Sequence, residues 1–316
     1  MKNKKLFKYL FSLLGVFLFL YIIIYIVDLD KLLKNIANIK IIYFVPIFGL
    51  SFILVGLKAY RWQLIMRKID ITYSLYSSFS MYAVGAFLSL VTPGKIGELA
   101  KIFYLNKDQH SIKKSLVTII VDRMADLVFL ILLVILGFAI FFEYFAQPFY
   151  YLIFILLLTV VGLYITFKYK LYLILIKIIS PKKYKQVIFE NTNEFFALFK
   201  TYSLRDYITA LIITSFSWIT YIIQIYLLTL ALNININFLY LIPMIAVANA
   251  ADMLPISISG IGTRELIFIF FFSLIGLSAE KATALGILQL SIVVFTALIG
   301  LAYCLKYPLS LKQNNE

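Results

Sequence analysis

Apolar residues run along this chain in blocks of about 20, the length a helix needs to cross a hydrocarbon layer. The uninterrupted blocks fall near 9–27, 41–60, 115–142, 149–168, 207–231 and 282–304. Two more, 73–105 and 238–276, are broken in the middle by short polar islands. The first island is Thr92-Pro93-Gly94-Lys95-Ile96-Gly97-Glu98, and the second runs from Pro255 through Ser257, Ser259, Gly260, Gly262, Thr263 and Arg264 to Glu265. Pro-Gly and Gly-x-Gly end a helix by removing a donor or permitting positive φ. Neither half of a broken block spans on its own, so both blocks read as re-entrant helical hairpins. The pattern predicts an all-α polytopic membrane protein with about six transmembrane helices and two such hairpins.

Loop charges orient these elements, because Lys and Arg accumulate on the cytoplasmic side. With the N-terminus inside, the cytoplasmic segments hold Lys2, Lys4, Lys5 and Lys8, then Arg61, Arg67 and Lys68, then Lys107, Lys113 and Lys114, then Lys168 to Arg205, and finally Lys306 and Lys312. The outside loops 143–148 and 232–237 carry no Lys or Arg. Loop 28–40, with Lys31, Lys34 and Lys40, runs against the bias and is partly offset by Asp28 and Asp30. The scheme closes when each hairpin returns to its side of origin, with both termini cytoplasmic. The chain then divides into two units, 1–148 and 149–316, each ordered span, span, hairpin, span and inverted relative to one another, as in secondary transporters. Segment 169–206, rich in Lys, reads as a cytoplasmic amphipathic helix and linker inside the second unit.

Composition supports the class and narrows the chemistry. Hydrophobic residues make up 63% of 316 positions and charged residues 14%, outside the range of soluble domains. The N-terminal Met1-Lys2-Asn3-Lys4-Lys5 leads into apolar sequence with no small-residue cleavage site, so it reads as an uncleaved first span. One cysteine, Cys304, allows no intramolecular disulfide, and one histidine, His110, argues against His-rich metal sites and Ser-His-Asp chemistry. No metal or cofactor is expected. The net charge of +14 suits anionic lipid headgroups along the membrane faces rather than nucleic acid.

The ionisable residues inside the apolar blocks are the candidates for function. Thr92 can cap a helix that begins at Pro93 and runs through Ala100, whose exposed amides and dipole would favour a phosphate or carboxylate, helped by Lys95. Glu98 and Lys101 share a helix face and can pair, and the bland reading is that the two neutralise one another at the cytoplasmic interface. In the second island Gly260 and Gly262 allow tight backbone, Thr263 can cap, and Arg264 with Glu265 opens the next helix, while Asn249, Asp252 and Pro255 precede the break. A tight extracellular turn would ask for no buried charge. Asp122, Arg123 and Asp126 lie within one apolar block, with Asp122 and Asp126 on one face. That face is either a proton or cation site or a structural ion-pair network with Lys101 or Arg264. Arg61-Trp62, at the end of its span, reads as a snorkelling interfacial anchor.

Arg61-Trp62, Pro93-Gly94-Lys95-Ile96-Gly97-Glu98 with Lys101, Asp122-Arg123 with Asp126, and Ser259-Gly260-Ile261-Gly262-Thr263-Arg264-Glu265, in that order, resemble the lysylphosphatidylglycerol synthase transmembrane region, also called the flippase-like membrane domain family. The resemblance covers essentially the whole chain. It implies a polytopic cell-membrane protein like the portion of the multiple peptide resistance factor that moves aminoacylated phosphatidylglycerol. No stretch corresponds to the soluble aminoacyl-transferase domain of the full synthases, so lysyl transfer is not implied. The reading that follows is a translocator of a lipid or lipid-linked headgroup, with anionic phospholipid as partner. Its alternatives are a membrane enzyme acting on a lipid phosphate, disfavoured by the lack of a nucleophile–base pair, and a scaffold for a membrane-bound synthase or glycosyltransferase.

Overall fold

The computed structural model describes residues 14–90, 92, 97–140, 194–252, 257 and 259–306. Among them the regular elements are all helical. Helix α1 (Leu14–Ile26) ends in a π turn over Ile22–Ile26. Helix α2 (Leu29–Ala37) is started by Asp28, whose carboxylate accepts from the Asp30 and Lys31 amides. Donation from the Lys31 amide, above all, holds that carboxyl below the usual carboxylate range.

Helix α3 (Phe44–Arg67) follows a turn of 3-10 helix, and α4 (Leu75–Leu90) comes next. A 3-10 turn over residues 97–99 leads into α5 (Ala100–Lys107), and α6 spans Ile112–Ile140. After a short helix at 194–199 come α7 (Leu204–Ala231), α8 (Leu241–Asp252), α9 (Thr263–Leu274) and α10 (Ala279–Lys306). The N-terminus of α7 is fixed by Asp206, whose carboxylate accepts from the Ser203 amide and hydroxyl.

These elements match the apolar blocks with their ends shifted by a few residues. Ile41–Arg67, Leu204–Ala231 and Ala279–Lys306 are long and apolar enough to cross a membrane, and shorter apolar helices cover Leu14–Ile26, Leu75–Leu90 and Phe238–Asp252. Both broken blocks are interrupted where the sequence predicted, as α4 with α5 and α8 with α9. The expected span at 149–168, the loop 143–148 and most of the segment 169–206 lie outside the described residues. Along α7 the exposed residues Ile208, Ile212, Phe216 and Ile219 recur every three or four positions, an apolar stripe left uncovered among the described residues. A stripe of that kind suits lipid as solvent.

Helices α3 and α7 cross antiparallel at the centre. At one end of the crossing the Arg61 Nη1–H donates to Thr214 Oγ1 (2.6 Å), and at the other the Gln224 amide donates to Ser51 Oγ (2.9 Å). Ser51 and Thr214 each return their own hydroxyl to the carbonyl four residues back, on Ile47 and Ala210. On the flanks α4 packs against α10 and α8 against α6. Both flanking contacts use a glycine for close approach: a Cβ on Gly300 would lie 2.0 Å from the Ala83 carbonyl oxygen, and one on Gly137 would lie 2.8 Å from Pro243 Cα.

Gly300→Leu is therefore expected to force α4 and α10 apart and destabilise the protein by about 1–3 kcal/mol. Gly56→Ala, where a Cβ would meet nothing within 4 Å, should change stability by no more than about 0.5 kcal/mol. Thermal unfolding in detergent separates the two, and equal midpoints would contradict the packing.

Candidate functional site

Arg61 is fully buried. A guanidinium has five donors and no way to lose its charge, so inside a protein it must be met by carboxylates. Its Nε–H donates to Asp122 Oδ1 (2.8 Å) and its Nη1–H to Asp126 Oδ1 (2.7 Å) and Thr214, while Nη2 lies 2.8 Å from Asp122 Oδ1. The two aspartates stand one turn apart on α6, which presents both to one guanidinium. Arg61 is therefore no interfacial anchor: α3 continues past it to Arg67, and the helix carries it into the interior. Its neighbour Trp62 is also buried and donates Nε1–H to Thr118 Oγ1 (3.1 Å).

The first hairpin adds its charges to this pair. Lys101, on α5, is buried with its Nζ 3.6 Å from Glu98 Oε2 and 3.7 Å from Asp122 Oδ2. The same ammonium sits over the rings of Tyr82 (4.0 Å) and Trp62 (4.8 Å), where two π faces supplement incomplete pairing. Arg123 pairs with Glu98 and approaches Asp126 Oδ2 (3.7 Å), and it donates to Tyr82 Oη (3.1 Å), which in turn donates to Asp122 Oδ2 (3.3 Å). Lys58, one turn before Arg61, lies 3.6 Å from Asp126. The network thus joins four cations, Lys58, Arg61, Lys101 and Arg123, to three carboxylates, Glu98, Asp122 and Asp126. With all seven ionised it carries one surplus positive charge.

At the second island Gly260 and Gly262 take positive φ (78° and 84°) and Ser259 does so as well (53°), a turn that glycine adopts without strain. The Gly262 amide donates to Glu265 Oε2 (2.6 Å), and the other Glu265 oxygen lies 3.2 Å from Arg264 Nη2. Glu265, rather than Thr263, satisfies the start of α9, while the Thr263 hydroxyl lies 2.9 Å from Ser257 Oγ. Arg264 and Glu265 are both buried. The second island touches the first hairpin: Ser259 Oγ donates to the carbonyl of Leu90 (2.9 Å), the last residue of α4.

The helix start expected at Pro93 lies outside the described residues, and Thr92 itself is bonded into the hairpin. Its hydroxyl donates to Leu88 O (2.9 Å) and accepts the Gly97 amide (2.8 Å), so it bridges the end of α4 to the turn before α5. Gly94 and Lys95 lie outside the described residues.

A cavity of about 220 Å³ opens between the two hairpins. Of the residues singled out in the sequence, Thr92, Glu98, Arg123, Asp126, Ser259 and Arg264 line it. Asp122 and Lys101 stand behind that wall, held by Arg61 and the aromatic rings. Lys58, Trp218, Tyr221, Asn249, Asp252 and Gln289 also line the cavity. Sequence reasoning noticed Asn249 and Asp252 only as neighbours of the break, and missed the rest. Lys58 was hidden near a helix end, and a lone Tyr or Gln inside an apolar run gives little signal. Among the described residues no cluster of His, Cys, Asp and Glu has the makings of a metal site.

An all-helical chain with apolar outer faces and a buried ionic network around a cavity is a polytopic membrane protein. Residues 9–300 match the lysylphosphatidylglycerol synthase TM region, and the chain belongs to that family. It is 25% identical over 301 residues to the UPF0104 membrane protein MJ1595 of Methanocaldococcus jannaschii, covering 86% of this chain and 87% of that protein. No solved structure matches.

Removing Arg61 alone would strip its nearest cation from each of two buried carboxylates, a change worth about 3–5 kcal/mol. Arg61→Met should therefore sharply lower thermal stability in detergent, and adding Asp122→Asn with Asp126→Asn should recover more than half of the loss. A triple variant no more stable than the single one would show that the charges do not act as a unit.

Proposed function

We propose that the protein translocates a lipid or lipid-linked headgroup across the cell membrane, with the cavity between the two broken hairpins as its binding site. The observation that carries this reading is the placement of Lys58, Arg123, Arg264, Glu98 and Asp126 around one cavity in an otherwise apolar chain. Ionisable groups at such a place are costly and serve a pathway more readily than a scaffold. The surplus cation of the network favours the phosphate of an anionic headgroup. Glu98 and Asp126 would balance that phosphate with a cation or proton, and Asp122 would position Arg61 and Lys101 from behind. Gly94 and Lys95 would complete the first island. A membrane-bound synthase or glycosyltransferase would supply such a lipid.

The same reading takes the chain as two inverted units, 1–148 and 149–316. Paired contacts support it. Ser51 precedes Arg61 by the same ten residues that separate Thr214 from Gln224, and the four residues pair crosswise. The α4–α10 contact has its counterpart in α8–α6, as expected of a two-fold axis through the α3–α7 crossing. Alternating access would then rock one unit against the other, with both termini and Lys107 cytoplasmic.

Lys58→Gln and Arg264→Gln, reconstituted in liposomes, should each reduce movement of the co-purifying lipid at least about tenfold while the protein stays folded. Unchanged transport in both variants would reject the site, and conversion of that lipid to a new product would replace transport with catalysis.

The orientation is tested separately. Single cysteines in a Cys304→Ala background should label from outside the cell at 232–237 and not at position 107. External labelling at 107 would refute the re-entrant first hairpin.

A further inference from the structure

Helix α2 passes over the ends of two longer helices. Before its first turn the Asp28 amide donates to Glu280 Oε1 (3.4 Å) at the start of α10, and beyond its last turn the Lys40 amide donates to Ala231 O (2.9 Å) at the end of α7. A nine-residue helix strung from the start of one long helix to the end of another lies across one face of the bundle.

Its two sides differ. Leu29, Leu32, Leu33 and Ile36 recur at helical spacing along one side, and Asp30, Lys31 and Lys34 occupy the other. Leu32 is buried and Ile36 packs against the same core, whereas Leu29 and Leu33 are more than half exposed and uncovered among the described residues. Ile41, Ile42 and Val45, at the entry to α3, continue this exposed apolar surface. At the end of α1, Tyr21 and Tyr25 are exposed as well, with ring centroids 5.2 Å apart. Exposed tyrosines collect at the level of the lipid headgroups.

The polar side is nearly balanced. Asp28 Oδ2 lies 3.4 Å from Lys31 Nζ, and Asp30 stands one turn before Lys34. Segment 28–40, which runs against the charge bias, therefore carries its lysines beside carboxylates of its own and forms no basic patch.

We infer that α2 lies in the plane of the membrane surface, with Leu29 and Leu33 in the boundary between headgroups and acyl chains and Lys31 and Lys34 turned to water. The partner of its uncovered side is the lipid interface itself, not a second protein and not a particular anionic lipid. A helix with one apolar and one charged side settles at that depth, and lysine stems reach from it to water. The second unit holds a counterpart. Helix 194–199 begins 20 residues before Thr214, as Lys31 stands 20 residues before Ser51; its Phe195 and Phe199 pack against the core, and Glu194 pairs with Lys113. On the proposed inversion this counterpart lies at the opposite face. Only the leaflet of α2, the outer one, comes from that reading, and contact with lipid does not depend on transport.

Leu29→Cys, Leu33→Cys and Lys34→Cys, each in a Cys304→Ala background, carry a bimane label in the full chain reconstituted into phosphatidylcholine nanodiscs. Lipids brominated near the headgroup end of the acyl chain should quench the labels at 29 and 33 at least about twofold more than lipids brominated near the chain end. Aqueous iodide should quench the label at 34 at least about twofold more than those at 29 and 33. Replacing half of the lipid with phosphatidylglycerol should leave this pattern unchanged.

Iodide quenching at 29 and 33 equal to that at 34 would overturn the inference, since the helix would then stand in water. Labels at 29 and 33 that escape both iodide and brominated lipid would overturn it in favour of a covering protein segment or a second copy of the chain. Quenching by brominated lipid only in the presence of phosphatidylglycerol would overturn it in favour of an anionic-lipid site. None of these readings measures transport, so each leaves translocation standing or falling by its own assay.

Discussion

A guanidinium away from water constrains everything around it. Arg61 cannot discharge, so α3, α6 and α7 must approach closely enough to bring two carboxylates and a hydroxyl to its edge. Once Asp122 is committed to Arg61, its second oxygen orders Tyr82 and Lys101, and these fix the first hairpin to the body of the protein. The ionic network is therefore structural at its centre and open only at its edge, where Lys58, Glu98, Arg123 and Asp126 reach the cavity. This arrangement joins the two readings that the sequence left open for the aspartate face. Asp122 belongs to the framework and Asp126 to both.

On the proposed division into two units, the second meets the packing problem at the α3–α7 crossing with a neutral group. Gln224 reaches Ser51 at the place corresponding to Arg61 and Thr214, and it does so without a charge to bury. Burying an amide costs less than burying an ion; Gln224 Nε2 donates to Ile47 O and Ser51 Oγ, while its Oε1 has no hydrogen-bond partner among the described residues. Arg264 and Glu265, the buried charges at the start of α9, are adjacent in sequence and pair with one another.

Much of the architecture was legible in the sequence because helix length against a hydrocarbon layer is a strong constraint. Block lengths located the helices, and Pro and Gly located both breaks. The residues Glu98, Lys101, Asp122, Arg123, Asp126 and Arg264 stood out because charges in apolar runs are rare. Arg61 stood out for the wrong reason: near the end of a 20-residue block it fits a snorkelling anchor, and only the continuation of α3 to Arg67 shows it buried. Thr92 likewise looked like an N-cap, since the local sequence favours one, but the return of the chain against Leu88 engages its hydroxyl in the hairpin itself. The uncharged residues of the cavity were illegible. Tyr, Asn and Gln are common enough in membrane helices that their convergence appears only when α7, α8 and α10 are brought together.

Among the described residues, a hydrogen bond from Ser259 to Leu90 joins the loop of one hairpin to the helix end of the other. A neutral bond of this kind contributes about 1 kcal/mol net, which corresponds to about a fivefold change in population. Two units held apart by water at that point would thus remain accessible at ordinary temperature, while the joined arrangement would predominate in the absence of anything else. Such a contact has the strength of a catch rather than a lock. Any molecule that drew on either the serine hydroxyl or the leucine carbonyl would need only a modest affinity to release it.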